Sequence, residues 1–310
     1  MKRLVFKFVL LIVPVAAVFL LVNFLYRRTN FWKSKDYAYK YTDAPYELEF
    51  GCFGSSIPCY AQKYDVVPEL KAWNFANVTE IYYWTRKVVK NYINHFAKGA
   101  VVVLEISFFQ IEDRATSYRE RYYRTLPKED VDNWSFAEWL AYDKFPFVTA
   151  GKDKYRIFKD ISVEEMSSYY DRMDGATSQR IQEFAKNAYI GLESRNSDKK
   201  EGFKENFEEL SDMIDMCYDY GVVPVLVSMP VADAMASCFE DDPGFFGRYD
   251  QFTKELQEKY PNIVFLDYSR DENFVSNYGY FKDAVHMNNI GAEKFTLTLV
   301  KDLRSRGLLR

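Results

Sequence analysis

Two short stretches of the chain hold residue types that can do covalent chemistry together. The first is Phe53-Gly54-Ser55-Ser56-Ile57-Pro58, where a short apolar run gives way to a helical one. A serine at that junction is presented at the open edge of a sheet, where its own backbone N–H and the next one can face a developing oxyanion. Serine becomes a nucleophile at neutral pH only with a base beside it. The second stretch is Phe281-Lys282-Asp283-Ala284-Val285-His286-Met287-Asn288-Asn289-Ile290-Gly291-Ala292, which carries one of the chain's two histidines and an aspartate three residues ahead of it. At that offset the carboxylate can take the ring's Nδ1–H. That fixes the tautomer and stabilises the imidazolium while Nε2 accepts the serine proton. Asp283 and His286 are thus a candidate orienter and base. Taken singly, Asp283 reads as a loop or helix-capping carboxylate and His286 as a partly buried loop histidine. Their coincidence with Gly54-Ser55-Ser56 is what points to acyl chemistry. The other histidine, His95, falls in an amphipathic stretch away from any strand end and reads as structural.

These residues lie at opposite ends of the chain, so a fold must join them. Residues 47–53 read as a short strand ending at Gly54, and 70–75 as a second. A helical stretch follows over 79–96, with Ile81, Val88, Val89, Tyr92 and Ile93 at helical spacing. The run Ala-Val-Val-Val-Leu-Glu-Ile at 100–106 is continuous rather than alternating, which suits a strand buried on both faces of a parallel sheet. The rhythm resumes with a helix over 205–220, a strand over 222–229, a helix over 247–260, a strand over 263–267 and a closing helix over 288–304. This alternation predicts a three-layer α/β/α sandwich with a mostly parallel sheet, its functional groups at the carboxyl ends of the strands. Between 107 and 200 the alternation is lost. That stretch, dense in aromatics such as Tyr122, Tyr123, Trp134, Trp139 and Tyr142, reads as a cap inserted into a domain spanning 46–310. Its aromatics either form its own core or make a platform for a sugar or acyl chain, and packing is the commoner use.

Composition narrows the chemistry further. With 41 basic against 45 acidic residues among 310, nothing suggests a nucleic-acid partner. Two histidines can barely furnish an imidazole-rich metal site, and neither a metal nor a cofactor is expected. Cys52, Cys59, Cys217 and Cys238 fit either two disulfides in an exported protein or buried thiols, the latter expected because a domain this size needs no disulfide framework. The absence of C-x-x-C spacing disfavours zinc knuckles and thioredoxin-type motifs. Residues 8–26, Phe-Val-Leu-Leu-Ile-Val-Pro-Val-Ala-Ala-Val-Phe-Leu-Leu-Val-Asn-Phe-Leu-Tyr, carry no charge and one strongly polar residue, Asn23. Nineteen such residues are about enough to cross a hydrocarbon core, and too many for the apolar part of a signal peptide. Residues 1–28 are therefore expected to be a retained transmembrane anchor, 29–45 a linker, and the domain extracytoplasmic. Without the anchor the chain has 36 basic and 45 acidic residues, a net −9 that gives the domain no attraction to anionic lipid.

The G-x-S after the first strand and the D-x-x-H before the last helix resemble the first and fifth blocks of the SGNH (GDSL-type) hydrolase superfamily. More narrowly, the resemblance is to its membrane-anchored DltD-like and alginate-acetylation-like branch. It is carried by the N-terminal anchor, Gly54-Ser55-Ser56, Trp73-Asn74-Phe75-Ala76-Asn77, Val101-Val102-Val103-Leu104-Glu105-Ile106-Ser107 and Val285-His286-Met287-Asn288-Asn289-Ile290-Gly291-Ala292. It covers 46–106 and 201–305. By position in the motif it implies Ser56 as nucleophile, His286 as base and Asp283 as partner, with Ser55 where the prototype has aspartate. The third block, G-x-N-D, is not visible: Glu105-Ile106-Ser107 stands in its region. Backbone N–H groups of Ser56 and Asn77, with the Ser107 hydroxyl, are then the expected oxyanion donors. An α/β-hydrolase elbow would want G-x-S-x-G, and Pro58 occupies the last glycine position. The resemblance implies an esterase or O-acyltransferase acting on an acylated glycan or other cell-envelope polymer beside a membrane-bound O-acyltransferase. The rival expectation is a non-catalytic envelope protein that keeps the sheet as a scaffold for an acyltransferase or a glycan.

Overall fold

The computed structural model describes residues 2–35, 38–78, 81–108, 110–113, 119–159, 177–195, 199–239 and 244–310, without the side chains of 2–9, 11, 33–35, 39, 192–195, 199–200 and 245. In chain order the first elements are α1 (Lys2–Arg27), α2 (Asn30–Lys35), α3 (Tyr39–Thr42), β1 (Leu48–Phe53), α4 (Ser56–Ala61), β2 (Ala72–Asn74), α5 (Tyr82–Tyr92) and β3 (Phe96–Glu105). After these come α6 (Phe136–Trp139), α7 (Ser178–Arg195), α8 (Lys199–Tyr220), β4 (Val223–Ser228) and α9 (Asp233–Ser237). The last are α10 (Phe245–Lys259), β5 (Val264–Asp267), α11 (Glu272–Val275) and α12 (Asn289–Ser305). They fall into two compact units, residues 1–42 with 117–169, and residues 43–116 with 170–310. The stretch between 107 and 200 is divided between them.

The larger unit is built on a five-stranded sheet in the order β2-β1-β3-β4-β5, every pair parallel. Val101 to Leu104 on β3 and Val225 to Val227 on β4 are buried at consecutive positions, so both faces of the sheet are covered. On one helix group, α8 packs against α5 and α10 through a stripe at helical spacing that includes Leu210, Met213, Ile214 and Cys217. In the other, α12 packs against α4, burying Phe295, Leu299 and Leu303. Gly221, at φ +84°, ends α8 in the left-handed conformation that glycine adopts without strain and turns the chain into β4.

One boundary departs from the sequence expectation for a physical reason. The helix expected over 79–96 forms as Tyr82–Tyr92, and β3 starts at Phe96 rather than Ala100. Phe96 pairs with Leu48 and Val101 with Phe50, so β3 carries extra residues at a bulge, and Gly99 at φ +80° provides it. His95 accordingly ends a short 3-10 turn. Its Nδ1 lies 3.1 Å from the Pro45 carbonyl oxygen and its ring stacks on Tyr46 at 4.1 Å, a structural place.

In the smaller unit, the polar residue of α1 is paired rather than left in an apolar face. Asn23 donates to the Lys144 carbonyl at 3.0 Å and accepts from the Phe147 N–H at 3.1 Å, while Phe19 meets the Phe145 ring at 5.0 Å. Leu10, Val13, Val18, Leu21 and Phe24 on the same helix are exposed. The expected anchor over 1–28 rests partly on side chains outside those described; among the described residues no helix is long and apolar enough to cross a membrane. The described aromatics of residues 119–159 pack on one another: Tyr123 against Trp134 and Tyr142, Phe136 against Trp139.

Candidate active site

The sheet order changes direction at β1, which has β2 on one side and β3 on the other, and such a switch point opens a crevice at the strand carboxyl ends. The chain leaves β1 there through Gly54 and β3 through Glu105. Gly54 sits at φ +149°, and a Cβ on it would lie 2.5 Å from Glu105 Oε2 and 2.8 Å from Pro58 Cγ. No other residue fits that turn. Ser55 then caps α4: its Oγ accepts the Ile57 N–H at 3.2 Å and donates to Glu105 Oε1 at 2.9 Å, and its N–H donates to Glu105 Oε2. Ser55 is thereby committed to holding the turn. Ser56, the first residue of α4, presents its hydroxyl 2.7 Å from His286 Nε2.

The opposite wall is a loop fixed at several points. Phe281 and Met287 form an antiparallel bridge, and the Lys282 N–H donates to the His286 carbonyl at 2.9 Å. Asn288 caps α12 by accepting the Gly291 N–H at 3.0 Å while its amide donates to the Gly279 carbonyl at 2.7 Å. Within this frame His286 Nδ1 lies 2.9 Å from each Asp283 carboxylate oxygen. Oδ1 also accepts the N–H groups of Val285 at 3.1 Å and His286 at 2.9 Å. Burial pushes the Asp283 carboxyl up. Its hydrogen bond to the His286 ring, that ring's charge and the two backbone N–H groups outweigh this and leave it below the ordinary carboxylate value. An ionised Asp283 accepts Nδ1–H, which leaves Nε2 as the acceptor for the Ser56 proton.

The structure therefore brings Ser56, His286 and Asp283 into one hydrogen-bonded chain. The expected oxyanion donors fare differently. The Asn77 backbone N–H is not available, because it donates to the Gly54 carbonyl at 2.9 Å, extending the pairing beyond β2. Its side chain keeps a donor: Oδ1 accepts the Val78 N–H at 2.9 Å, and Nδ2 has no acceptor among the described residues. The Ser56 N–H is likewise unspent among them. Ser107, buried just past β3, gives its N–H to the Tyr82 hydroxyl at 3.3 Å and keeps a hydroxyl without a partner among the described residues.

Several residues around the triad had no signal in local spacing. The Tyr60 ring lies 4.7 Å and the Phe184 ring 6.4 Å from that of His286, and Lys282 Nζ lies 4.6 Å above Tyr60. Phe184 comes from α7, inside the stretch that lacked alternation. Glu105 had one signal, an acid closing an apolar strand. None of the four cysteines forms a disulfide: Cys52, Cys59 and Cys217 are buried as expected, whereas Cys238, at the end of α9, is only half-buried. Among the described residues no group of three or more His, Cys, Asp or Glu side chains could hold a metal.

No protein-family model and no curated protein sequence matches the chain. Among solved structures it is similar to a GDSL-like lipase of Bacteroides thetaiotaomicron, at 12% identity and a TM-score of 0.41 over 88% of this chain and 98% of that one. A Bacteroides fragilis protein assigned as an acylhydrolase is similar at 14% identity and a TM-score of 0.42, over 88% and 95% of the two chains. A Bacillus subtilis protein gives 14% and 0.43, over 85% of this chain and 58% of its own. Likeness at this level leaves the chemistry to be argued from this chain's own residues.

Proposed function

We propose that the chain is a serine esterase or O-acyltransferase working through an acyl-enzyme on Ser56. The observation that carries this is the continuous relay from Ser56 Oγ to His286 Nε2 at 2.7 Å and from His286 Nδ1 to Asp283 at 2.9 Å. Ser56 Oγ attacks the ester carbonyl as its proton passes to His286 Nε2. The Ser56 N–H and the Asn77 amide, with the Ser107 hydroxyl, receive the oxyanion. His286 then returns the proton to the leaving oxygen, and the carbonyl re-forms as an acyl-serine. A water or a sugar hydroxyl, deprotonated by His286, releases the acyl group, which is the whole difference between hydrolysis and transfer.

The apolar run of 8–26 and the exposed apolar residues of α1 support membrane anchorage with the larger unit extracytoplasmic. With the motif resemblance, they favour an acylated glycan or other envelope polymer as substrate, a membrane-bound O-acyltransferase as neighbour, and transfer over free hydrolysis. A fluorophosphonate probe tests the reading: it should label the full chain at Ser56, and Ser56→Ala should abolish labelling while the protein stays folded. A folded chain that takes no label, or an alanine variant that labels equally, would instead favour the scaffold reading.

A further inference from the structure

Glu105 closes β3 as a carboxylate that is 2% exposed and takes no part in the Ser56-His286-Asp283 relay. Both its oxygens are directed at the residue preceding the nucleophile, Oε1 to the Ser55 hydroxyl at 2.9 Å and Oε2 to the Ser55 N–H. The contact is close enough that only a glycine fits at 54, where a Cβ would also come within 2.7 Å of Glu105 Cβ. Tyr82, on α5, is the titratable group that faces it, and Tyr249 of α10 couples in turn to Tyr82. From β4, alongside, comes the apolar Val227. Among the described residues no cation faces Glu105, so two hydrogen bonds from Ser55 are what hold its charge.

We propose that Glu105 is a positioning residue whose carboxylate clamps the Gly54–Ser56 turn, so that the nucleophile is fully reactive only while Glu105 is ionised. The inference rests on Ser56 as nucleophile. As an acceptor of both Ser55 donors, the carboxylate turns the Ser55 N–H into the sheet and leaves the next N–H, that of Ser56, for the oxyanion. It also orients the Ser55 hydroxyl so that its lone pair meets the Ile57 N–H and fixes the first turn of α4. Protonation turns one of the two acceptor oxygens into a donor, which can bond Ser55 Oγ only if that hydroxyl turns its own proton away, so the charge-assisted pair of bonds gives way to weaker neutral ones. Burial pushes this carboxyl up to about 7, against the two Ser55 bonds that pull it down, which puts the change within a working pH range.

The test is the rate of fluorophosphonate labelling of the full chain between about pH 5.5 and 8.5, for wild type and Glu105→Gln. Glutamine keeps the shape without the charge, so wild type should label about ten-fold faster at the alkaline end, as expected for hydrogen bonds to a charged acceptor. The ratio should fall towards one at the acid end, where wild-type Glu105 is neutral as well. A ratio constant with pH, or labelling at the wild-type rate throughout, would overturn the clamp while leaving Ser56 as nucleophile. If the glutamine variant shows no cooperative melting, Ser55→Ala decides: removing a bond that lowers the Glu105 pKa should move the wild-type break in the profile to higher pH, and an unmoved break overturns the proposal. A wild-type chain that takes no label removes the reading of Ser56, and the clamp with it.

Discussion

The Asp283 carboxylate accepts the His286 ring N–H together with the N–H groups of Val285 and His286, and it is buried where water does not compete. Asparagine at 283 would present an amide that can donate to Nδ1, which then favours the proton on Nε2 and leaves nothing to accept from Ser56. Asp283→Asn should therefore slow fluorophosphonate labelling by about three to four orders of magnitude with little change in fold, as expected when the wrong tautomer is stabilised. A labelling rate within ten-fold of wild type would argue that His286 is not the base. The same bonds have a stability consequence. Because the folded-state pKa of Asp283 is depressed, its contribution is present above the unfolded value and is lost as pH falls through the folded one, so it belongs to acid unfolding below about pH 4.

At the scale of elements, both halves of the site are loop-to-helix junctions whose capping residues are polar. Asn288 holds the N-terminus of α12 and ties back to Gly279, so the loop carrying Asp283 and His286 and the helix behind it form one frame. Asn288→Ala should cost about 1–2 kcal/mol in thermal or denaturant unfolding. It should also slow labelling, since the loop loses its tether; a stable variant with an unchanged rate would show that the Phe281–Met287 bridge alone suffices. Much of this level was legible. The D-x-x-H offset and the G-S-S junction are local, so spacing alone conveys them, and the buried β-branched runs marked the parallel strands. The early start of β3 was not legible, because a bulge at Gly99 breaks the pattern that periodicity detects.

For the whole molecule, Glu105 sets function against stability. Its folded-state pKa lies near 7, above that of an unfolded glutamate, so the folded state holds a proton that the unfolded state has released. Stability should fall as pH rises between about 4.5 and 7, by about 3 kcal/mol if the full shift is expressed. Glu105→Gln should then equal or exceed the melting temperature of wild type at pH 8, with the gap closing towards pH 5. A variant less stable than wild type at every pH would contradict this. At the same scale, anchorage predicts that the full chain stays with membranes through an alkaline carbonate wash and that a chain lacking residues 1–28 is released. Full-length protein in the soluble fraction would rule out a spanning α1.

By itself the sequence determined the Gly54-Ser55-Ser56 turn, the Asp283–His286 pair and the parallel α/β frame that joins them, because each is written in local spacing or periodicity. The tertiary structure alone decided which neighbours complete the site. Strand register brought Glu105 beneath Ser55 and committed the Asn77 backbone N–H to Gly54, while Phe184 reached His286 from α7. Contacts between distant segments depend on how strands pair and helices pack, and no one-dimensional pattern carries that information.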